Sequence, residues 1–186
     1  MLGVSLPEVI NKRANRQYVP IPDDELWRFV DSKDKVYVAF TMENGYPHVS
    51  PVWFCTINRK FYLRTHDYKV KTRLAERGKA CCTIDEGNKY AELRGVVIWG
   101  HSRVVTDNGL IREIEKAMNA KYRIQQWKAA EMPGWWVQDR KTERRAYVEI
   151  MPERVSSWDN TRVVNHRLSH PNGLPKPASR PPQVAV

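Results

Sequence analysis

From Lys35 onward the chain alternates: Val36, Val38, Phe40 and Met42 are separated by Tyr37, Ala39 and Thr41, so each set takes one face of a strand. Glu43-Asn44-Gly45-Tyr46 then has the chemistry of a tight hairpin turn, which sends a second strand back over Pro47 to Thr56. Asn58-Arg59-Lys60 makes the next turn and Phe61 to Thr65 the third strand. Connections this short cannot carry a parallel crossover, so the sheet has to be antiparallel.

Tyr68 to Arg77 is apolar on one side and stops at Gly78, the pattern of a short helix. Ala80 to Asp85 is the fourth strand. Ala91 to Val105, rich in β-branched residues, is a long fifth one, in which Gly95 and Gly100 mark bends or close backbone approach. Helical spacing returns over Asn108 to Trp127 through Ile111, Ile114, Met118 and Tyr122. Glu131 to Thr142 reads as a loop or irregular helix, and Arg145 to Ser157 as the closing strand with Val148, Ile150 and Val155 facing in. Ahead of the first strand, Leu6 to Lys12 and Asp23 to Asp31 read as two short helices, the second carrying Leu26, Phe29 and Val30 on one face. The expected fold class is mainly β, an antiparallel barrel of about six strands with flanking helices. One domain is expected over residues 1–165, with a flexible Pro-rich tail over 166–186.

With 41% hydrophobic and 10% aromatic residues there is enough apolar material for one core. No apolar run approaches the ~18–20 residues of a membrane span, and Met1 to Lys12 lack a signal peptide's apolar centre; the expectation is a cytoplasmic protein with no membrane association. Cys55, Cys81 and Cys82 have no metal-ligand spacing and read as reduced thiols, the adjacent pair on opposite strand faces. His48, His66, His101, His166 and His170 likewise show no ligand spacing, so no metal site is expected. The 31 basic against 21 acidic residues give a net charge of +10, a surface that attracts anions such as nucleic acid, acidic lipid or a phosphorylated small molecule.

Three features carry chemistry. Pro51 interrupts the strand Val49-Ser50-Pro51-Val52-Trp53-Phe54 and cannot donate to a ladder; the alternatives are backbone groups left for a ligand or an ordinary edge strand. Arg64-Thr65-His66-Asp67-Tyr68-Lys69-Val70-Lys71 lies where a strand gives way to a helix, and gathers a hydroxyl and cations in a place suited to a phosphate; the alternative is that Asp67 caps the helix and the lysines coat it. Among seven tryptophans, Trp53, Trp99, Trp135, Trp136 and Trp158 fall near strand ends or loops, where they could wall a planar heterocycle or simply pack.

The run Gly45 to Phe54, then Phe61-Tyr62-Leu63-Arg64-Thr65, Lys71, Ala80 to Asp85 and Arg94-Gly95-Val96-Val97-Ile98-Trp99-Gly100, resembles the FMN- or deazaflavin-binding split β-barrels typified by pyridoxamine 5′-phosphate oxidase, over roughly Leu26 to Asp159. The resemblance implies a homodimer with a flavin at its interface, the ring edge lying against Val49, Ser50, Pro51, Val52 and Trp53. It implies a phosphate held by Arg64, Thr65, Lys69 and Lys71, with Lys71 first and Lys69 in reserve, His66 among the cofactor-binding residues, and contributions near Trp99 and Trp158 from the second subunit. The oxidases' Arg-x-x-Leu-Leu-Lys strand is here Val49 to Phe54 without its basic positions, which points away from vitamin processing and toward the mixed branch that includes deazaflavin-dependent reductases. FMN is the first choice of cofactor, the deazaflavin coenzyme F-420 the alternative, and haem on His48 or His66 a further one. A small-molecule oxidoreductase is the leading expectation, with His66, Tyr68 and Tyr122 as candidate proton donors. The rivals are a non-catalytic cofactor carrier and a nucleic-acid-binding barrel; the latter is disfavoured because the basic residues are dispersed except at Lys69 to Arg73.

Overall fold

The computed structural model describes residues 7–9, 19–123, 126, 128 and 144–163. They form β1 (Glu8–Val9), α1 (Asp23–Asp31), β2 (Lys35–Thr41), β3 (Pro47–Ile57), β4 (Lys60–His66), α2 (Val70–Ala75), β5 (Ala80–Glu86), a 3₁₀ turn (Tyr90–Glu92), β6 (Arg94–Val104), α3 (Asn108–Tyr122) and β7 (Arg145–Asp159). The strands follow the order β1-β7-β4-β3-β2-β5-β6, and β6 also pairs with β7, so β2 to β7 close into a six-stranded antiparallel barrel. Two turns set the register. Gly45 has φ +83° in the first hairpin. Asn58 and Arg59, at φ 53° and 62°, make a two-residue turn whose twist matches that of the flanking strands β3 and β4.

Alternation then sorts the side chains. Val36, Val38 and Phe40 from β2, Val52 and Phe54 from β3, Phe61 and Leu63 from β4, and Val148, Ile150 and Val155 from β7 fill one buried cluster with Leu26, Phe29 and Val30 of α1. Outside the barrel α3 lays Ile114 and Met118 over Cys55, Tyr62 and Tyr147; burying each of these two apolar side chains contributes about 1.5–3 kcal/mol. Helix α2 packs Thr72, Leu74 and Ala75 inward. Its far end is gripped by β6: the Ser102 hydroxyl donates to the Ala75 carbonyl at 2.8 Å, and the Ser102 amide donates to the Gly78 carbonyl at 3.1 Å. The other end of α2 is thereby left at the mouth between β3 and β4.

One fully buried carboxylate is built into the β4–β7–β6 layer. Glu149 accepts from Lys60 Nζ at 3.1 Å, from the Tyr62 hydroxyl at 3.0 Å, and from Arg103 Nε. Burial alone pushes its pKa up, but the hydrogen bonds from Arg103, Lys60 and Tyr62 outweigh that and hold it below the ordinary 4.5. A depressed carboxyl pKa stabilises the fold above the ordinary value, and the contribution disappears as pH falls through the folded-state value. Stability measured by urea titration is therefore expected to drop as pH is taken below 4.5. Glu149→Gln should flatten that slope; an unchanged slope would remove Glu149 as its source.

The expected helix over Leu6 to Lys12 is overturned at Glu8 and Val9, which pair in parallel with Arg154 and Val155 of β7. A segment this short has little intrinsic helix stability, and the edge of β7 offers backbone partners instead. The helix expected over Tyr68 to Arg77 narrows to Val70–Ala75, and α3 stops at Tyr122 because Arg123 takes the left-handed conformation. The closing strand runs on to Asp159, where Arg94 Nε and Arg162 Nε meet the carboxylate at 3.1 and 3.0 Å. The loop over Glu131 to Thr142 and the tail over 166–186 lie outside the described residues. Among those described, no helix is long and apolar enough to cross a membrane.

Candidate functional site

β3 and β4 pair only between Phe54/Leu63 and Ile57/Lys60. Beyond Phe54, β3 stays with β2 over Pro47 to Trp53 while β4 stays with β7 over Arg64 to His66. The split leaves an open cleft of about 230 Å³ lined by Pro51, Val52, Trp53, Arg64, Thr65, His66, Lys69 and Lys71. Eight expected ligand positions, drawn from two separate stretches of sequence, thus come together in one place.

The two-residue turn fixes which backbone groups face it. Ile57 and Lys60 close that turn as a hydrogen-bonded pair, so by antiparallel alternation the amide and carbonyl of Phe54 point toward β2. There they meet Tyr122 instead of a strand: the Phe54 amide donates to the Tyr122 hydroxyl at 2.8 Å. One residue back, the amide and carbonyl of Trp53 and the carbonyl of Pro51 turn to the cleft edge, where the proline's missing N–H costs no ladder bond.

The basic end is assembled by the β4–α2 junction. The Thr72 hydroxyl donates to the His66 carbonyl at 2.6 Å and lies 3.4 Å from the Thr65 hydroxyl, which ties the first turn of α2 to the end of β4. Asp67 does not cap this helix: its carboxylate pairs with Arg144 at 2.6 Å, and Lys69 occupies the N-cap with no side-chain cap bond. The acid nearest the lysines is thereby taken out of competition. Lys69 Nζ sits 4.9 Å from the Tyr68 ring, and the His66 and Tyr68 rings stack at 5.3 Å. Among the described residues no carboxylate pairs with Lys69 or Lys71. Burial, then the neighbouring Lys69 charge, pulls the Lys71 amine below its ordinary value.

Ser50 Oγ and His48 Nδ1 add a second indication. Both are buried polar atoms without a hydrogen-bond partner among the described residues, on the same alternating face of β3 as the cleft residue Val52. Buried groups of this kind are normally satisfied, so they suit a polar ligand or water reaching along the strand.

The other expected residues fall elsewhere. Val49 is exposed on the outer face of the sheet, in one row with Ala39, Cys81 and the exposed Trp99. Trp158 packs against Gly95, where an added Cβ would lie 2.2 Å from its ring. None of Val49, Trp99 or Trp158 lines the cleft. Tyr122, a candidate proton donor, does not line the cleft: its hydroxyl lies 2.7 Å from the Asp34 carbonyl and 2.9 Å from that of Phe54, and burial pushes its pKa well above the ordinary range. Tyr68 stacks on His66 with its ring largely in solvent, whereas His66 itself lines the cleft.

Beside Tyr122, Lys121 has its amine buried without a hydrogen-bond partner among the described residues, 3.6 Å from the Phe54 ring centroid. Burial lowers its pKa despite the opposing fields of Asp31, Cys55 and Asp34. A lysine pKa depressed on folding costs stability wherever the amine is charged, and the cost fades as pH rises toward the ordinary 10.5. Lys121→Met, which keeps the stem, is expected to stabilise the fold at neutral pH by about 1 kcal/mol, roughly 2–4 °C in Tm. A scanning-calorimetry midpoint that falls would refute this.

Compared with known proteins, the family described as pyridoxamine 5′-phosphate oxidase matches residues 22–158. No curated protein matches. Among solved structures, a conserved hypothetical protein from Mycobacterium tuberculosis is similar at TM-score 0.67 and 20% identity, covering 93% of this chain and 100% of that one. An FAD-binding protein from Mycobacterium smegmatis is similar at 0.54 and 18%, covering 74% and 95%. A haem storage protein from Vibrio cholerae is similar at 0.52 and 12%, covering 72% and 92%.

Proposed function

The chain belongs to the pyridoxamine 5′-phosphate oxidase family, and from that membership we propose that it is a flavin-dependent oxidoreductase of a small organic molecule, holding FMN in the β3–β4 cleft of a homodimer. The observation that carries this reading is the pair Lys69 and Lys71, without carboxylate partners among the described residues, at one end of a cleft whose other wall is Pro51, Val52 and Trp53. Two neighbouring cations, Lys71 half-buried and Lys69 exposed, favour an anion, and a planar wall of backbone and indole favours a flat ring. Flavin binding in a split-barrel neighbour supports the same assignment.

The roles divide by chemistry. Lys71, Lys69, Arg64 and the Thr65 hydroxyl would hold the phosphate; Ser50 and His48 would satisfy polar groups along the strand. Backbone groups of Pro51 and Trp53 would lie along the ring edge, where donors stabilise negative charge. A bound flavin supplies the hydride or electron transfer itself. His66 is the imidazole that lines the cleft and the side chain best placed to meet a substrate there.

A cleft of about 230 Å³ is small beside the roughly 300–1,000 Å³ of small-molecule sites. The outer face of the barrel carries exposed Tyr37, Val49 and Trp99. Both observations support a second copy completing the site. The test is a visible spectrum of the purified protein with mass spectrometry of the chromophore released by heat, followed by FMN and F-420 titrations of the stripped protein. A flavin spectrum, or FMN uptake by a species that light scattering shows to be dimeric, is the expected result; turnover with a nicotinamide donor and a panel of acceptors would separate an enzyme from a carrier. A preparation that takes up neither flavin nor deazaflavin overturns the reading, and selective uptake of haem would replace it.

A further inference from the structure

The aromatic wall of the cleft is braced from behind by a residue that does not line it. The rings of Trp53 and Tyr122 stack with centroids 4.7 Å apart and planes at 15°. Tyr122 belongs to the last turn of α3, and its hydroxyl sits just past the final β2–β3 pair, Lys35 with Trp53. There it accepts from the Phe54 amide at 2.8 Å and reaches the Asp34 carbonyl at 2.7 Å, so one hydroxyl takes the place of the next rung of the ladder. This is also the residue at which β3 and β4 begin to part, since Phe54 with Leu63 is their last pair. Lys121 bears on the Phe54 ring from the same helical turn.

We infer that Tyr122 is a positioning residue for the cleft: its hydroxyl fixes where β3 leaves β4, and its ring sets the tilt of Trp53 toward the planar group that the cleft takes. The inference rests on the cofactor reading of the cleft. A purely structural anchor for α3 would not need a stacked ring behind the cleft wall, because Ile114 and Met118 already bury that helix. Two parts of the tyrosine do separable work. The hydroxyl spans β3 and the end of β2, and the ring transmits that placement to Trp53.

The test is a double-mutant cycle on the full chain with Tyr122→Phe, Trp53→Leu and the pair, read by the Kd for FMN, by amide exchange at Phe54 and by near-ultraviolet circular dichroism of the apoprotein. Tyr122→Phe is expected to raise the Kd about tenfold, the scale of one lost hydrogen bond to a positioned group. It should also speed exchange at the Phe54 amide. The double variant should bind FMN no more weakly than Trp53→Leu alone, since coupled residues do not add. Ile114→Val, which disturbs the same helix away from the cleft, should leave the Kd within about twofold. Additive effects, or a Tyr122→Phe Kd no different from that of Ile114→Val, overturn the inference. Should Tyr122→Phe fail to fold, Tyr122→His keeps a ring and a donor and enters the same cycle. Should the wild type bind no flavin, the cofactor reading falls, and the apoprotein signals still decide this one: loss of the same dichroic band in Tyr122→Leu and Trp53→Leu supports it, and an unchanged band in either refutes it.

Discussion

Lys71→Ala is expected to weaken FMN binding by about 1–3 kcal/mol, roughly five- to hundredfold in Kd, the range for losing a charge-assisted contact. The size follows from where the amine sits. Lys71 is half-buried and its charge is disfavoured by desolvation, so an incoming phosphate would supply a counter-charge that the described residues do not. Lys69 is exposed at the N-cap of α2; screening by water should hold the loss in Lys69→Ala below about 1 kcal/mol. The melting temperature should not fall in Lys71→Ala, because a half-desolvated cation with no carboxylate partner among the described residues is being removed.

A pH dependence comes with it. Anion binding would raise the lysine pKa that burial has lowered, so binding takes up a proton when the amine starts out neutral. Affinity is then fully present below the lysine's value in the ligand-free protein and declines as pH rises through it. Fluorescence titration of FMN across alkaline pH checks both statements. A Kd for Lys71→Ala within twofold of the wild type would move the phosphate grip to Lys69 and Arg64, or out of the cleft altogether.

The sequence was informative in proportion to how local each determinant is. Alternation from Val36 to Met42 and the turns at Gly45 and Asn58-Arg59 specify neighbouring strands, and the order of β2 to β4 follows from them, whereas β5 returns to the far side of β2. The cleft was legible through its residues, because Pro51 and the Thr65 to Lys71 interval are short-range signals with a physical reason. What brings them together was not legible. The parting of β3 from β4 depends on β4 pairing with β7, a strand some eighty residues away, and on a tyrosine from α3. Tyr122 therefore read as a candidate proton donor although its hydroxyl serves the backbone. The same limit explains Glu8 and Val9, whose strand exists only because β7 offers an edge. Asp67 looked like a helix cap from its position, and only the fold supplies Arg144 as its partner.

Gly100→Ala is expected to be the more damaging alanine substitution at the two glycines of β6, at about 3 kcal/mol or more. β6 and β7 shift register between Trp99 and Gly100: Trp99 faces Arg154 and Gly100 faces Pro152, so Glu153 is the extra residue of a bulge. The bulge admits a proline into a strand where its missing N–H would otherwise break the ladder. It also presses the two backbones together. A Cβ on Gly100 would lie 2.2 Å from the Met151 carbonyl oxygen and 3.1 Å from the Pro152 Cα, and backbone cannot swing aside as a side chain can. The methyl has to force apart the ladder that closes the barrel. Gly95→Ala meets the Trp158 ring instead, which can rotate away, and Gly45→Ala meets nothing but keeps a strained φ of +83°; both should cost less, about 1–2 kcal/mol. Urea titration of the three variants gives the ranking directly. A Gly100→Ala protein within about 1 kcal/mol of the wild type would mean that the bulge can relax, and that β6 and β7 are held less firmly than their register implies.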